Sequence, residues 1–339
     1  MVETTRDTTG LVPRRDEVVN LTEIIPKIKP YMLEVEKTLQ QTISSNAPVM
    51  DAITHYILLS PGKRLRPALF LVSAGLDQPP PGLTDTAASI ELIHTASLVH
   101  DDIVDQSALR RGLPTVNAKW GNDISVLAGD FLFARAFILL TKSRCQEIIT
   151  ILAAVIERMS VGEIEQLTDV FNAGLPEEVY LDRIKKKTAC FMAGVCQAGG
   201  VARDAGQDEL RALYEFGMYL GLAFQIKDDI LDFQGQSEVT GKPAGSDLRQ
   251  GIITLPVIHL LESSPRRESI KGYIQKKELT DVHLVEILQE IERAGSLEYC
   301  ENLVRANTRA AQKALEGLRD RDIKDDLDRI LQANAQREF

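Results

Sequence analysis

The sequence predicts an all-α protein. Apolar residues recur at three- and four-residue spacings along almost the whole chain, beginning with Leu21, Ile24, Ile25 and Ile28, and this is the period of an amphipathic helix. Alternation of apolar and polar residues between turn signals, which would predict strands, is almost absent. The chain has 339 residues, of which 44% are hydrophobic and 26% are charged, so it is long and apolar enough to bury a large core.

The predicted elements follow one another with short breaks. Residues 1–20 are polar and are expected to form a disordered N-terminal arm, with one helical domain over 21–339. After the first helical pattern, further helices are predicted over 47–59, 64–76, 84–105, 123–141, 145–171, 177–198, 207–233, 253–262, 268–276, 281–293 and 296–318. The proline-rich run 78–82 is predicted to be a loop, because no change in composition marks a domain boundary there. The polar run 235–251 is a candidate lid.

Charge and cysteine usage exclude several classes of protein. The formal net charge is −10, which argues against nucleic-acid binding over a broad basic surface. The four cysteines form no CxxC pair and have no histidine at zinc-finger spacing, so free thiols in the cytoplasm are expected. We expect no transmembrane segment and no secretory signal.

Two acidic motifs of the form DDxxD each end a long apolar helix. They are Asp101–Asp105 and Asp228–Asp232. In each, the first and last carboxylates are four residues apart and therefore project from one face of the helix, where like charges repel. The C-terminal end of a helix is also the unfavourable end for anions. Divalent cations with oxygen ligands would relieve both effects, and Mg²⁺ suits a few carboxylates with phosphate and water in its other positions. A solvated acidic face explains one such motif but is a poor explanation for two.

Basic clusters lie at the polar ends of apolar helices as well. Lys63 and Arg66 lie at a predicted helix start, where backbone N–H groups also favour phosphate. Arg110 and Arg111 follow the first acidic motif. The third cluster is 185–188. A polyanionic substrate bound with metal ions would account for all of them.

In their order along the chain these motifs resemble a known family. GKRLRP at 62–67, DDIVD at 101–105, GDFLFARA at 129–136, KKTA at 186–189 and AFQIKDDILD at 223–232 are similar to those of the trans-polyprenyl (isoprenyl) diphosphate synthases of the long-chain type. The resemblance implies a single-domain helical bundle of the isoprenoid synthase type around a deep central cavity, usually as a homodimer. It also implies condensation of an allylic diphosphate with isopentenyl diphosphate, with three Mg²⁺ ions in each active site.

The resemblance assigns roles to individual positions. The expected metal ligands are Asp101, Asp105 and Asp228, with Asp102, Asp229 and Asp232 supporting them from beside the site. The expected isopentenyl diphosphate site is Lys63, Arg66, His94 and Arg111. The expected allylic diphosphate site is Arg110, Lys187, Thr188, Gln225 and Lys242. Ile252 departs from the pattern, because some short-chain members carry a lysine there.

The resemblance also bears on product length. Ala96 and Ser97 are small, whereas short-chain members carry Phe or Tyr one helical turn before the first motif, so the cavity is expected to continue toward Ile93. We also expect Gly217 and Gly221 to face this cavity. A helical turn rises about 5.4 Å, close to one isoprene unit, and we predict a product of about six to ten units, C30–C50. The alternatives are a short-chain farnesyl or geranylgeranyl diphosphate synthase and a non-catalytic helical subunit of a prenyl synthase. Release of a long product implies transient membrane contact.

Overall fold

Helices make up most of the chain that the structure, a computed structural model, describes, as the sequence predicts. The described residues are 21–45, 47–59, 62–234, 244–277 and 279–335. The helices in the first half are α1 (Leu21–Ile24), α2 (Lys29–Thr42), α3 (Pro48–Leu59), α4 (Leu65–Ala74), α5 (Leu83–Val104), α6 (Val116–Trp120), α7 (Asn122–Leu140) and α8 (Gln146–Thr168). Those in the second half are α9 (Glu177–Ile184), α10 (Cys190–Ala202), α11 (Gln207–Gln234), α12 (Ser246–Arg249), α13 (Leu255–Ser263), α14 (Arg267–Gln275), α15 (Asp281–Arg293), α16 (Ser296–Ala314) and α17 (Arg321–Ala335). The N-terminal arm 1–20, Lys242 and most of the candidate lid lie outside the described residues.

The observed boundaries differ from the predicted ones in two places that matter. The helix predicted over 177–198 is α9 and α10 joined by a π-helical turn, Lys185–Ala189; such turns occur frequently at functional sites. The last helix, α17, was not predicted. The acidic run 325–328 lacks the i, i+4 carboxylates of the two motifs and reads as surface in the sequence, but Asp326 is buried and pairs with Lys27 and Arg329.

The core surrounds α5 and α11, the two helices that carry the acidic motifs. Helix α5 packs against α2, α4 and α7, while α11 packs between α10 and α16. Two neighbouring groups of buried apolar side chains result, one mainly around α5 and one around the second half of α11. Met218 and Tyr219 of α11 contact both groups. Helix α11 therefore joins the two halves of the described chain.

Glycines let the backbones of these helices approach closely. A Cβ added at Gly129 of α7 would lie 2.1 Å from Nε2 of His100 on α5. On α11, a Cβ at Gly217 would lie 2.5 Å from the carbonyl oxygen of Met192, and one at Gly221 would lie 2.5 Å from Cα of Ala189. Our expectation that Gly217 and Gly221 face a product cavity is therefore wrong. They seat α11 on α10 and on the π-helical turn.

One described segment, Asn122–Ser143, is long and apolar enough to cross a membrane on length and composition alone. Its best 18-residue window has a mean hydropathy of 1.8 and is 39% buried inside the protein. The buried face packs on α5. The remaining apolar face is left on the surface of the chain.

Candidate active site

The first acidic motif lies where α5 ends. Asp101 and Asp105 are half-buried, and the backbone N–H of Asp105 donates to the Asp101 carbonyl, which closes the last turn. Burial raises the pKa of Asp101 to about 7, with Lys187 opposing this shift and Glu163 and Asp105 adding to it. A cation placed between these carboxylates would remove the electrostatic cause of part of the shift. The middle carboxylate, of Asp102, points elsewhere and accepts a 2.8 Å hydrogen bond from Nε of Arg110.

The second motif ends α11 and is tied to its surroundings through its last two carboxylates at least. The buried carboxylate of Asp229 accepts hydrogen bonds from the Tyr180 hydroxyl at 2.6 Å and from Nε2 of Gln225 at 2.9 Å. Burial raises the pKa of Asp229 to about 7, although both hydrogen bonds oppose the shift. Asp232 accepts from the backbone N–H groups of Ser246 and Asp247, both at 3.2 Å, and so anchors the start of α12. Asp228 is half-buried on the same helix.

The two motif helices face a common space. Asp105 of α5 and Asp229 of α11 line the same small cavity of about 100 Å³, together with Lys187 and Gln225. Lys187 forms a 2.6 Å ion pair with Glu163 of α8, and the Thr188 hydroxyl donates to Oε1 of Gln225 at 2.7 Å. The π-helical turn therefore presents Lys187 and Thr188 between the ends of α5 and α11.

The donor set of this space fits magnesium. Within the described ranges, no three His, Cys, Asp or Glu side chains converge closely enough to hold an ion by themselves. Carboxylates instead reach the space from two helices, with Asp105 at the end of α5 and Asp229 on α11. This is a suitable arrangement for Mg²⁺, which takes one or two carboxylates and leaves positions for water and substrate phosphate.

The residues predicted to bind isopentenyl diphosphate line a second, larger cavity of about 330 Å³. Lys63, Arg66, His94 and Arg111 all contribute to its wall. Nη1 of Arg66 lies 3.1 Å from Nε2 of His94, and because a guanidinium only donates, that imidazole nitrogen accepts. Burial and the neighbouring arginines, Arg66 and Arg111 first among them, lower the pKa of His94 well below its usual value. His94 is therefore neutral, as its hydrogen bond requires.

A short hairpin carries the two arginines that follow the first motif. Strands β1 (Leu109–Arg110) and β2 (Leu113–Pro114) pair antiparallel, and Arg111 and Gly112 between them both have positive φ, as in a type I′ turn. The Tyr56 hydroxyl donates to the Pro114 carbonyl at 2.7 Å. The hairpin thus places Arg110 against Asp102, and both Arg110 and Arg111 line the larger cavity rather than the smaller one.

Several residues that line the larger cavity were missed in the sequence. Leu21 and three residues of α17, Ile330, Ala333 and Asn334, close one side of it. The apolar spacing within 321–335 could have revealed α17, but its high charge obscured the pattern. Glu91 also contributes to the wall. A single acidic residue within a long apolar run of the sequence could have identified it as a site residue.

The residues expected to set product length lie in the core below the first motif. Ala96 and Ile93 are completely buried, whereas Ser97 is half-buried and donates to the His94 carbonyl at 2.8 Å. Phe224 of α11 lines the larger cavity beside Asp102. Ile252, the position that departs from the family pattern, lines the smaller cavity.

An all-α bundle with two DDxxD helix ends facing one space, flanked by a strongly basic cavity, defines a class of enzymes that transfer prenyl groups from diphosphates. The chain matches the family model for polyprenyl synthetases over residues 47–291, and it belongs to that family. It is 39% identical over 265 residues to heptaprenyl diphosphate synthase component 2 of Bacillus subtilis (strain 168), across 78% of this chain and 76% of that protein.

Solved structures agree with this assignment. A polyprenyl synthase from Caulobacter crescentus, complexed with calcium and isoprenyl diphosphate, superposes with a TM-score of 0.88 at 33% identity, covering 94% of this chain and 98% of that one. A decaprenyl diphosphate synthase from Rhodobacter capsulatus gives 0.87 at 35% identity, covering 94% and 100%. The chain is thus a prenyl-transferring enzyme of the polyprenyl diphosphate synthase type.

Proposed function

We propose that this protein condenses allylic prenyl diphosphates with isopentenyl diphosphate, head to tail and with trans geometry, to make a long-chain polyprenyl diphosphate. The observation that carries the proposal is the pairing of two cavities at the ends of α5 and α11. One is acidic and contains Asp105 and Asp229; the other is basic and contains Lys63, Arg66 and Arg111. The allylic diphosphate would bind at the acidic cavity with the metal ions, and isopentenyl diphosphate would bind in the basic cavity.

In this proposal Asp101, Asp105 and Asp228 hold the magnesium ions. When bound, the ions neutralise the charge that develops on the departing diphosphate. The chain's own cations act on the same charge: Lys187 is held by Glu163 at the mouth of the smaller cavity, and fixed charges of this kind stabilise a transition state without reorganising. Asp102 and Asp229 support the site indirectly, through Arg110 and through Tyr180 and Gln225.

The larger cavity is proposed to bind isopentenyl diphosphate. Lys63, Arg66 and Arg111 supply positive charge, and neutral His94 accepts from Arg66 and so fixes its guanidinium. The allylic diphosphate is proposed to contact Arg110, Lys187, Thr188 and Gln225, with Lys242 assigned by the family pattern alone. Holding both substrates in place makes their reaction effectively unimolecular.

The bond changes follow from this placement. The allylic C–O bond breaks and its electron pair leaves with the diphosphate, the double bond of isopentenyl diphosphate attacks the allylic carbon, and a proton is then lost from the adjacent carbon. Among the described residues that line the two cavities, we identify no strong side-chain base aimed at that carbon. The released diphosphate is the proposed proton acceptor.

We propose a product of about six to ten isoprene units, since each unit matches about one helical turn of 5.4 Å along α5. Support comes from the small residues Ala96 and Ser97 above Ile93, and from the heptaprenyl and decaprenyl names of two related proteins. Gly217 and Gly221 do not bear on product length, because Gly217 faces α10 and Gly221 faces the π-helical turn. Release of so apolar a product would involve transient contact with a membrane, although we propose that the enzyme itself is cytoplasmic.

We propose that a second copy of the chain covers the exposed apolar faces of α7 and α8. These faces include Leu127 and Ile138 on α7 and Ile164 and Leu167 on α8, all at least half exposed. Asp130, exposed within the apolar segment of α7, would be unfavourable in lipid. In a two-fold symmetric dimer, the apolar faces of α7 and α8 from one chain would pack against the same faces of the other chain. The Bacillus relative is named component 2 of its enzyme. The alternative to test is therefore that a different subunit, instead of a second copy of this chain, covers these faces.

A single assay tests the proposed function. Purified protein is incubated with radiolabelled isopentenyl diphosphate, farnesyl diphosphate and Mg²⁺, and the dephosphorylated products are separated by chromatography. We expect incorporation of label into products longer than C25. No incorporation, with the Asp101→Asn variant as the blank, would contradict the proposal and favour the non-catalytic subunit.

A further inference from the structure

Arg64 lies inside the basic motif and lines the larger cavity, but its guanidinium is bound by two carboxylates. Its backbone has φ of +50°, in the left-handed region, immediately before α4 begins at Leu65. Nε of Arg64 donates to Glu36 at 2.6 Å, and Nη1 donates to Glu91 at 2.6 Å. The two carboxylates come from different helices, α2 and α5. The guanidinium therefore links both helices to the loop that carries Lys63 and Arg66.

Glu91 is the central member of this set. It is 3% exposed, and a carboxylate buried to this degree requires a charged partner. A Cβ added at Gly62 would lie 3.3 Å from Nη1 of Arg64, 3.5 Å from Oε1 of Glu91 and 3.6 Å from Nη1 of Arg111. One carboxylate and two guanidiniums thus converge on a single point of the loop. Glu91 is the only acid among these three groups, and its charge balances two arginines that would otherwise repel each other.

We infer that Arg64 and Glu91 are positioning residues of the isopentenyl diphosphate site. The hydrogen bonds of Arg64 to Glu36 and Glu91 stabilise the left-handed backbone turn at Arg64. This turn brings Lys63 and Arg66 to the same cavity wall. Glu91 keeps Arg111 beside them. This inference rests on the proposed function and deepens it, because it names residues that act on the substrate through others.

A role in charge alone and a role in positioning predict opposite effects of substitutions at Arg64 and Glu91 on diphosphate binding, so the inference can be tested. Glu91 is an anion beside an anion site, so if only charge mattered, its removal would strengthen diphosphate binding. If Arg64 served only as a positive charge, lysine would replace it. Lysine cannot form the planar fork that reaches two carboxylates, and the positioning function would be lost in Arg64→Lys although the charge is kept.

The principal experiment measures steady-state kinetics of Arg64→Lys, Glu91→Gln and the double variant, with each substrate varied in turn. We expect KM for isopentenyl diphosphate to rise about tenfold in each single variant, with kcat and KM for farnesyl diphosphate changed less than about twofold. KM for isopentenyl diphosphate in the double variant should be about that of the poorer single variant, because both substitutions disrupt the same Arg64–Glu91 ion pair. Calorimetric titration with isopentenyl diphosphate should show the same loss of affinity.

Arg203→Lys is the matched control. Arg203 also bridges two acceptors, the Ser73 carbonyl and Glu209, and is buried to a similar extent, but it does not line either cavity. We expect its melting temperature to fall as in Arg64→Lys while both KM values stay unchanged. Wild-type KM for isopentenyl diphosphate in Arg64→Lys, or a lower KM in Glu91→Gln, would overturn the inference in an active enzyme. An inactive wild-type protein would instead overturn the proposed function.

Discussion

The six aspartates of the two motifs have different surroundings although their sequences look alike. Asp102 pairs with Arg110, Asp229 binds Tyr180 and Gln225, and Asp232 anchors α12. Asp101 and Asp228 occupy the first position of their motifs, where the resemblance places metal ligands. In the proposed function, the repeated motif divides its carboxylates between metal binding and the contacts that build the site around it.

The first prediction concerns these leading carboxylates. Asp101→Asn and Asp228→Asn should each lower turnover by about 10³-fold or more at saturating Mg²⁺, because each removes a charge that the metal-assisted step needs. Helicity should be unchanged in circular dichroism. Asp325→Asn, at an exposed aspartate of the acidic run in α17, is the control and should retain wild-type turnover. Turnover near the wild-type value in either motif variant would contradict the metal role.

The second prediction concerns pH. Burial raises the pKa of Asp101 to about 7, so in the metal-free protein this carboxyl holds a proton below pH 7 and must lose it to bind Mg²⁺. Metal affinity should therefore be full above pH 8 and fall as the pH decreases. The half-saturating Mg²⁺ concentration should rise about tenfold between pH 8 and pH 6 if one proton is displaced. Calorimetric titration without substrate measures it. A constant value over this range would show that Asp101 is already ionised.

At the scale of elements, α5 carries more of the predicted site residues than any other helix. One face of it presents Glu91 and His94 to the basic cavity, its end presents the first motif, and its middle contains the residues expected to set product length. Because successive turns of one helix face the same space, single substitutions along α5 should have graded effects on the product. This is a property of helical periodicity rather than of any one residue.

The third prediction tests that grading. Ala96→Phe and Ser97→Phe should each shorten the main product by at least one isoprene unit, because a ring placed one turn below Asp101 blocks about 5.4 Å of a path that runs along α5. Chromatography of the dephosphorylated products gives the length. Ser97→Ala is the control for loss of the hydroxyl group that donates to His94 and should leave the length unchanged. Native product that ends at farnesyl or geranylgeranyl length, or no shortening in either variant, would refute the proposed path.

At the scale of the whole molecule, the described chain leaves an apolar surface that its own helices do not cover. That surface belongs to α7, which packs on α5, and to α8, which supplies Glu163 to Lys187. The same two helices would therefore contribute to the dimer interface and to the surroundings of the candidate active site. Dimer formation would restrict their movement around each site.

The fourth prediction concerns this surface. Leu127→Glu and Ile164→Glu should each convert a dimer into monomers in analytical ultracentrifugation at micromolar concentration, because two-fold symmetry buries each new charge twice. Leu33→Glu on α2 is the control; Leu33 is 64% exposed, and Leu127 and Ile164 are each 61% exposed. A wild-type monomer, or a dimer that survives both variants, would contradict the proposed interface.

The sequence alone determined the features that local patterns encode. Helical periodicity predicted the class and most helices, and the i, i+4 carboxylates of Asp101 and Asp105 and the basic run at Lys63 predicted two sites of opposite charge, because side chains three or four residues apart share a helix face in any context. Only the tertiary structure decided which elements meet. It packs Gly217 on α10 and Gly221 on the π-helical turn instead of at the cavity, buries Asp326, places α17 at the wall of the larger cavity and joins Arg64 to Glu36 and Glu91. Those contacts depend on the packing of helices distant in sequence, and no periodicity within one helix specifies its neighbour.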